Sequence, residues 1–397
     1  MGRTSVDYDP FDPAVIADPY PIYRALREEF PLYWCEKSGC WVLSRYDDVA
    51  AALQDPLTYS SASGVFPTAG APDMADLFLP MLIMTDPPRH TALRRIVSRA
   101  FTPRRIASLE PSVNDLVQDL LDAADDHPTW DAVAAFAGPL PAIVIADLLG
   151  VPREDRDSFR RWSTQLVQSS PHDGRGGGAL EAAASLYDYF RSFLAERQAR
   201  PCDDLMSALV GAEVDGQRLT QDELLGFCLL LLVAGHETTT NLLTNSLVVL
   251  SAEHGARHEL ADAPDLMPRA VEELLRFDSP VQGLSRTITR PTVVHDQAIA
   301  AGDVVLLLYG SANRDDRVFP EADKFDIYRS TERQLALGHG VHFCLGASLA
   351  RLEARVALTA LVTRHRDWEV DLGAAERLQS GPIRGFASLP VQPVRGH

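Results

Sequence analysis

A chain of 397 residues with 46% hydrophobic and 23% charged residues carries enough apolar material for a sizeable buried core, in one large domain or two or three ordinary ones. Its 55 acidic against 37 basic residues leave a net charge of −18, which repels phosphate backbones and anionic headgroups and argues against nucleic acid as a partner. Five cysteines, an odd number without a CxxC pair, suit a reducing compartment in which each is by default a buried thiol.

The N-terminal stretch MGRTSVDYDPFDPAV lacks the basic and apolar regions of a secretory leader, and Val6 stands where a myristoylation signal needs Ser or Thr. Leu32 to Trp34 and Cys40 to Leu43 read as a hairpin, after which SRYDDVAAALQD takes up a helical period. Residues 61–83 are long, apolar and Pro-punctuated without a clean period, as expected of a functional loop bordering a pocket. Residues 89–105, RHTALRRIVSRAFTPRR, hold six arginines and no acid. Helices are expected at 153–168, 179–199, 220–251, 266–277 and 345–364, with PHDGRGGGAL (171–180) as a flexible lid between the first two. Strands are expected around Thr287 to Val294 and near the C-terminus, while Val304 to Tyr309 fits a strand or a buried helix equally. The longest apolar run, Leu224 to Gly235, falls short of the roughly 18 residues of a membrane span, so a soluble chain without a membrane anchor is expected. No repeat or linker divides the chain, and the fold class reads as mainly α with a minor β region.

Three stretches carry chemistry. The 220–251 helix is apolar nearly all round until AGHETTTN, where the Thr238 hydroxyl is placed to bond back to the Ala234 carbonyl and to kink or bulge the helix. Ala234 and Gly235 leave that turn bare, a notch for a small molecule or a flat ring beside Glu237 and Thr238. In PRAVEELLRFDSP, Glu273 and Arg276 lie three apart on one helix face, a spacing most often seen in solvated surface pairs. In GHGVHFCLG (338–346), Cys344 stands among three glycines and His342 ahead of a helix. That loop alone leaves it open as a buried thiol, a zinc ligand with His342 and the Cys35/Cys40 pair, a nucleophile, or a ligand for something larger.

Together, AGHET at 234–238, the ExxR of Glu273 to Arg276 and GHGVHFCLG resemble the cytochrome P-450 monooxygenases, most of all the soluble bacterial members. RHTALRR (89–95), SANRDDRVF (311–319) and KFDIYR (324–329) extend the resemblance over nearly the whole chain. It implies a single-domain P-450 fold over residues 1–397, with heme b (iron protoporphyrin IX) between the 220–251 helix and the cysteine loop. Cys344 would be the thiolate metal ligand, His90, Arg94, Arg286 and His342 the partners of the heme propionates, and Ala234 and Gly346 small contacts of the macrocycle. Thr238 and Glu237 would be the catalytic pair that relays protons to dioxygen, and Glu273 with Arg276 a structural pair. Phe78, Leu79, Val233, Ala234, Leu284 and Phe386 would line the substrate pocket.

The implied activity is insertion of one oxygen atom from dioxygen into a lipophilic small molecule, by hydroxylation or epoxidation, in the cytoplasm. Terpenoid, steroid, macrolide, cyclic peptide and aromatic substrates all fit. Peroxide-driven or non-oxygenating oxidation such as ring coupling is the alternative. Electrons would come from a separate acidic ferredoxin or flavodoxin with its reductase, docked on a basic patch that includes Arg95, Arg99 and Arg104. Two positions depart from the family pattern: Leu337, where an aromatic is usual, and Lys324, where an arginine often completes a network with the ExxR pair.

Overall fold

A capping box starts the helix on which the molecule is built. The Thr220 hydroxyl accepts from the Glu223 amide at 3.2 Å while the Glu223 carboxylate accepts from the Thr220 amide at 2.9 Å. The structure, a computed structural model, describes residues 6–67, 79–168 and 176–394. Within them the elements that frame the site are α1 (Tyr20–Glu29), β1 (Leu32–Cys35), β2 (Cys40–Leu43), α2 (Tyr46–Gln54), β3 (Tyr59–Ser60), α3 (Arg89–Ala100), α4 (Glu110–Asp125), α5 (Pro139–Leu149), α6 (Arg156–Gln168), α7 (Gly176–Ala199), α8 (Gln221–Ala252), α9 (Met267–Phe277), β4 (Leu284–Ile288), β5 (Val304–Leu307), α10 (Ala347–Arg364) and β6 (Phe386–Ser388).

Helix α8 is apolar on several faces because α5, α6, α9 and α10 all pack against it, and most of its 32 residues are buried. Its leucines at 225, 229, 232, 243, 247 and 250 are at most 1% exposed, each contributing about 2 kcal/mol of apolar burial. A five-stranded sheet in the order β1-β2-β5-β4-β3 forms a second layer, with β2 and β5 parallel and the other pairs antiparallel. Cys35 and Cys40 face each other across the β1–β2 hairpin in a small cluster with Tyr8 and Tyr23, away from Cys344.

The expected helices are present, with shifts that have local causes. Helix α7 starts at Gly176 rather than 179, so three of the glycines read as a lid are helical, while 171–175 lie outside the described residues. Helix α10 starts at Ala347, two residues later than expected, because Leu345 and Gly346 still belong to the cysteine loop. The Thr287–Val294 strand divides into Leu284–Ile288 and Thr292–Val294 around Arg290-Pro291, where proline has no amide to donate. Val304–Tyr309 is both of its alternatives in turn: a strand to Leu307, then a helical turn from Tyr309 to Ala312. Among the described residues no helix is long and apolar enough to cross a membrane.

One acid inside this core is not offset by a base. Glu353 on α10 is 1% exposed, its Oε2 has no partner, and desolvation pushes its carboxyl up to about 8. A carboxyl raised in the folded state favours folding while it stays protonated and costs stability as pH climbs from the unfolded value toward and past 8. Glu353→Gln is therefore expected to match the parent protein near pH 5 and to be more stable by about 2–4 kcal/mol at pH 8, measured by chemical denaturation at both pH values.

Candidate functional site

The cysteine loop is shaped by backbone that only glycine adopts easily. Gly338 and Gly340 have φ of 70° and 68°, and a Cβ on Gly340 would stand 2.5 Å from the Leu53 carbonyl oxygen on α2. The turn closes through the Phe343 amide on the Gly340 carbonyl at 3.1 Å and the Cys344 amide on the Leu337 carbonyl at 2.9 Å. Position 337 thus contributes its carbonyl whichever side chain it carries. Gly346 has an ordinary φ of −82°; it lies beside the sulfur, where a Cβ would be 3.9 Å from Cys344 Sγ. Desolvation raises the Cys344 thiol, while the Gly346 amide and the charges of Arg94 and Arg351 oppose that rise by favouring the thiolate. Arg351, two helical turns beyond the cysteine, is itself held by Glu272 through Nη2 to Oε2 at 2.9 Å. Sequence reasoning missed it, although its spacing on α10 was available.

Beside the loop lies a cluster of cationic and imidazole groups. His90 on α3 is 1% exposed, neither ring nitrogen has a partner, and its ring centroid is 4.3 Å from that of His342. His342 Nε2 is 3.3 Å from the Ser61 hydroxyl, a partner for which the sequence held no signal. Desolvation, with the charges of His90, Arg286 and Arg94, pushes His342 down to about 3. Arg94 donates to the Phe343 carbonyl at 2.6 Å, and Arg286, 3% exposed, donates to the Ser285 carbonyl at 2.7 Å. Neither guanidinium is ion-paired to a carboxylate among the described residues. A buried cation such as Arg286 is costly without a counter-ion, and with the partly exposed Arg94 beside the loop this cluster could hold an anionic group.

On α8 the notch appears as one accessible face. Ala234, Glu237 and Thr238 keep surface, with Leu230 and Val233 a turn earlier, while His236, Thr239 and Thr240 on the other side are buried. Thr238 Oγ1 donates to the Ala234 carbonyl as expected, yet the helix continues unbroken from Gln221 to Ala252. Desolvation pushes Glu237 up to about 7.

The Glu273–Arg276 pair is not the solvated contact its spacing suggested. Both side chains are 0% exposed and joined by two 2.7 Å bonds, Nε to Oε2 and Nη2 to Oε1. Arg276 also donates to the carbonyls of Asn313 and Ala322 at 2.8 and 2.9 Å. The network is completed by Arg329, whose Nε reaches Glu273 Oε1 at 3.2 Å. Lys324 supplies only its carbonyl, its ammonium pairing with Glu321 at the surface.

The expected pocket residues divide. Val233, Ala234 and Leu284 keep surface. Leu79 is partly buried where the Leu79-Pro80 backbone lies on α8; a Cβ at Gly226 would stand 2.2 Å from the Pro80 oxygen, so only glycine permits that approach. Phe386 is 2% exposed in the main core with the Arg377 guanidinium 3.8 Å above its ring, and Phe78 lies outside the described residues. A surface groove of about 890 Å³ between α4 and α10 is lined by Glu110, Asn114, Arg355 and Thr359, and its Arg355–Glu110 charges already satisfy each other.

Four of the six arginines of 89–105 are engaged at the protein's own surface: Arg89 with Glu223, Arg95 with Asp215, Arg99 with the Glu213 carbonyl and Arg105 with Asp203. Arg94 turns to the cysteine loop. The exposed Arg104 alone keeps its side chain without a partner among the described residues.

Residues 180–392 match the family model described as Cytochrome P450. The vitamin D(3) 25-hydroxylase of Pseudonocardia autotrophica is 39% identical over 390 residues, 97% of this chain and 96% of that protein. Among solved structures, cytochrome P450 CYP109Q5 from Chondromyces apiculatus has a TM-score of 0.91 at 37% identity, covering 99% of this chain and 100% of that one. CYP109E1 from Bacillus megaterium, solved in complex with testosterone, has a TM-score of 0.86 at 33% identity, covering 95% of this chain and all of that one (100%).

The network around Glu273 separates the two basic residues of KFDIYR. Arg329→Ala removes a charged hydrogen bond from a buried carboxylate and is expected to lower the unfolding free energy by about 2–3 kcal/mol. Lys324→Ala, whose ammonium only meets exposed Glu321, is expected to stay within about 0.5 kcal/mol of the parent in the same denaturation experiment.

Proposed function

The chain belongs to the cytochrome P450 family, oxidoreductases whose cofactor is heme b, and on that premise we propose that it is a cytoplasmic monooxygenase acting on a lipophilic small molecule of steroid or secosteroid type. The single observation that carries the site assignment is the cluster of His90, Arg94, Arg286 and His342, unpaired with carboxylates among the described residues and set beside a thiol that two arginines favour as thiolate. Those groups would hold the two heme propionates, and Cys344 would hold the iron as its thiolate ligand. The donor set fits the cofactor.

When bound, heme supplies dioxygen activation with two electrons from outside the chain, helped by the electron density of a thiolate ligand. The remaining work falls to this chain's own residues. Cys344 is held against leaving by the Leu337 carbonyl on its amide and by the left-handed glycines behind it. Arg94 and Arg286 would neutralise the propionates inside an acidic protein, and the neutral rings of His90 and His342 would offer them N–H donors. Ala234, with little side chain, would leave space for the macrocycle beside α8. The Thr238 hydroxyl, with its proton given to the Ala234 carbonyl, presents lone pairs to the notch, and Glu237, balanced near 7, holds or releases a proton beside it. The substrate class rests on the apolar surface of Val233, Ala234 and Leu284 and on the printed substrate and ligand of the two relatives.

For electron delivery we infer docking of an acidic ferredoxin or flavodoxin, with its reductase, on the α3 side of the cysteine loop. Val341 and Phe343, 36% and 39% exposed, give that face an apolar centre, and Arg95, Arg99 and Arg104 give it charge.

With testosterone, a ferredoxin system and isotopically labelled dioxygen, the product is expected to carry one labelled oxygen; an unlabelled product would overturn the monooxygenase reading in favour of peroxide-driven or ring-coupling chemistry. Because Glu237 donates a proton only while protonated, turnover is expected to fall as pH rises through about 7. Glu237→Gln should lower kcat about 100-fold and remove that limb of the pH profile. Arg104→Glu should slow ferredoxin-dependent reduction several-fold and flatten its salt dependence, and unchanged stopped-flow rates would refute the docking face.

A further inference from the structure

Helix α8 is fastened from behind at the same turn that presents Glu237 and Thr238. His236, the residue between Gly235 and Glu237, points away from the accessible face and is 4% exposed. Its Nδ1 is 2.7 Å from the hydroxyl of Ser163 on α6, itself 0% exposed, and the ring also bonds the Gly138 carbonyl just before α5. Desolvation pushes His236 down to about 4, so the ring is neutral and carries a single N–H. A carbonyl can only accept, which places that N–H on Nε2 toward Gly138 and leaves Nδ1 to accept from the Ser163 hydroxyl. One turn further, the Thr240 hydroxyl shares its proton between the His236 carbonyl of its own helix at 2.9 Å and the Ala137 carbonyl at 3.1 Å. The middle of α8 is thus tied to two neighbours, at His236 through polar groups whose roles permit one arrangement only.

We propose that His236 is a positioning residue: bridged between Ser163 of α6 and the Gly138 carbonyl, it sets the rotation of the α8 turn and thereby the aim of Glu237 and Thr238 into the site. A helix turn that carries an acid and a hydroxyl on one side must not rotate by even a fraction of a residue if protons are to pass at hydrogen-bond distance. Apolar packing alone tolerates small rotations, whereas a buried imidazole with two directional bonds does not, since either bond lost leaves a polar atom unpaired in the core. Ser163 matters because it is the donor from α6; without it Nδ1 is left with nothing to accept. This inference rests on Glu237 and Thr238 serving the reaction as proposed above.

The test uses the heme-loaded enzyme and the variants Ser163→Ala, Ser163→Thr and His236→Leu, with Ser246→Ala as a control whose hydroxyl bonds only its own helix at Leu242. Hydrogen exchange of the backbone amides of 234–240 and 156–168 is expected to quicken about five- to tenfold in Ser163→Ala, the loss of one buried hydrogen bond. Product formed per electron should fall at least about threefold, with the balance appearing as hydrogen peroxide, and the pH midpoint of turnover should move. Substrate affinity from the heme spin-state shift should stay within about twofold, and Ser163→Thr, which keeps the hydroxyl, should restore the parent values. His236→Leu removes both bonds and should exceed Ser163→Ala in every effect; it supplies the same reading if the threonine does not fit. Parental exchange and product yield in Ser163→Ala overturn the proposal. So does faster exchange with an unmoved yield and pH midpoint, which would make the bridge structural only. A parent enzyme that gives no spin-state shift and no oxygenated product instead points to failure of the functional reading.

Discussion

Two opposite charges, Glu273 and Arg276, are withdrawn completely from water, and such a pair is tolerable only when every remaining donor and acceptor is filled. Filling them organises the chain that leads to the cysteine. Arg276 takes the carbonyls of Asn313, Ala322 and Lys324, and Glu273 takes the Asp326 amide and Arg329. Asn313 in turn uses its side-chain oxygen to hold the Leu335 amide, two residues before the carbonyl that receives the Cys344 amide. The position of the thiol is therefore inherited, through consecutive directional bonds, from an ion pair on α9. Removing either charge would leave the other stranded and would loosen the approach to the loop.

The electrostatic layout is uneven for a chain of net charge −18. Its acids lie mostly outside, pairing with surface arginines, while among the described residues Arg94 and Arg286 have no carboxylate partner and His90 and His342 are held neutral by desolvation. An anionic cofactor edge bound there as proposed would find cations that no described acid has claimed. On α8 burial works in the other direction, keeping Glu237 near the point where it can both hold and give a proton at neutral pH.

Much of this was legible in the sequence where the cause is local. The back-bond of Thr238 to Ala234 needs only helical spacing, and the left-handed Gly338 and Gly340 follow from a glycine-rich loop ahead of a helix. What depends on which side of an element meets the rest of the protein was not legible. A pair three residues apart is equally good at a surface, so the burial of Glu273 and Arg276 needed the fold. Lys324 and Arg329 differ only by a turn, made where the Arg329 amide bonds the Asp326 carbonyl, and that turn sends Arg329 inward. Phe386 is apolar whether it faces a pocket or the core, and it is covered by Arg377. The arginines of 89–105 looked surplus because their partners, Asp203, Glu213, Asp215 and Glu223, come from a segment about a hundred residues away.

Those internal partners change what docking means on this face. Asp215 and the Glu213 carbonyl already occupy the positions a visiting acidic protein would want, so the docking proposed there would exchange one set of partners for another and would not be a fresh gain. Each contact made is offset by one given up, which keeps the net attraction small while the long-range field still guides approach. A complex docked as proposed would form fast and have a short residence time. An electron donor that docked there twice per catalytic cycle, leaving oxidised in between, would be served by a surface that competes with its own visitor.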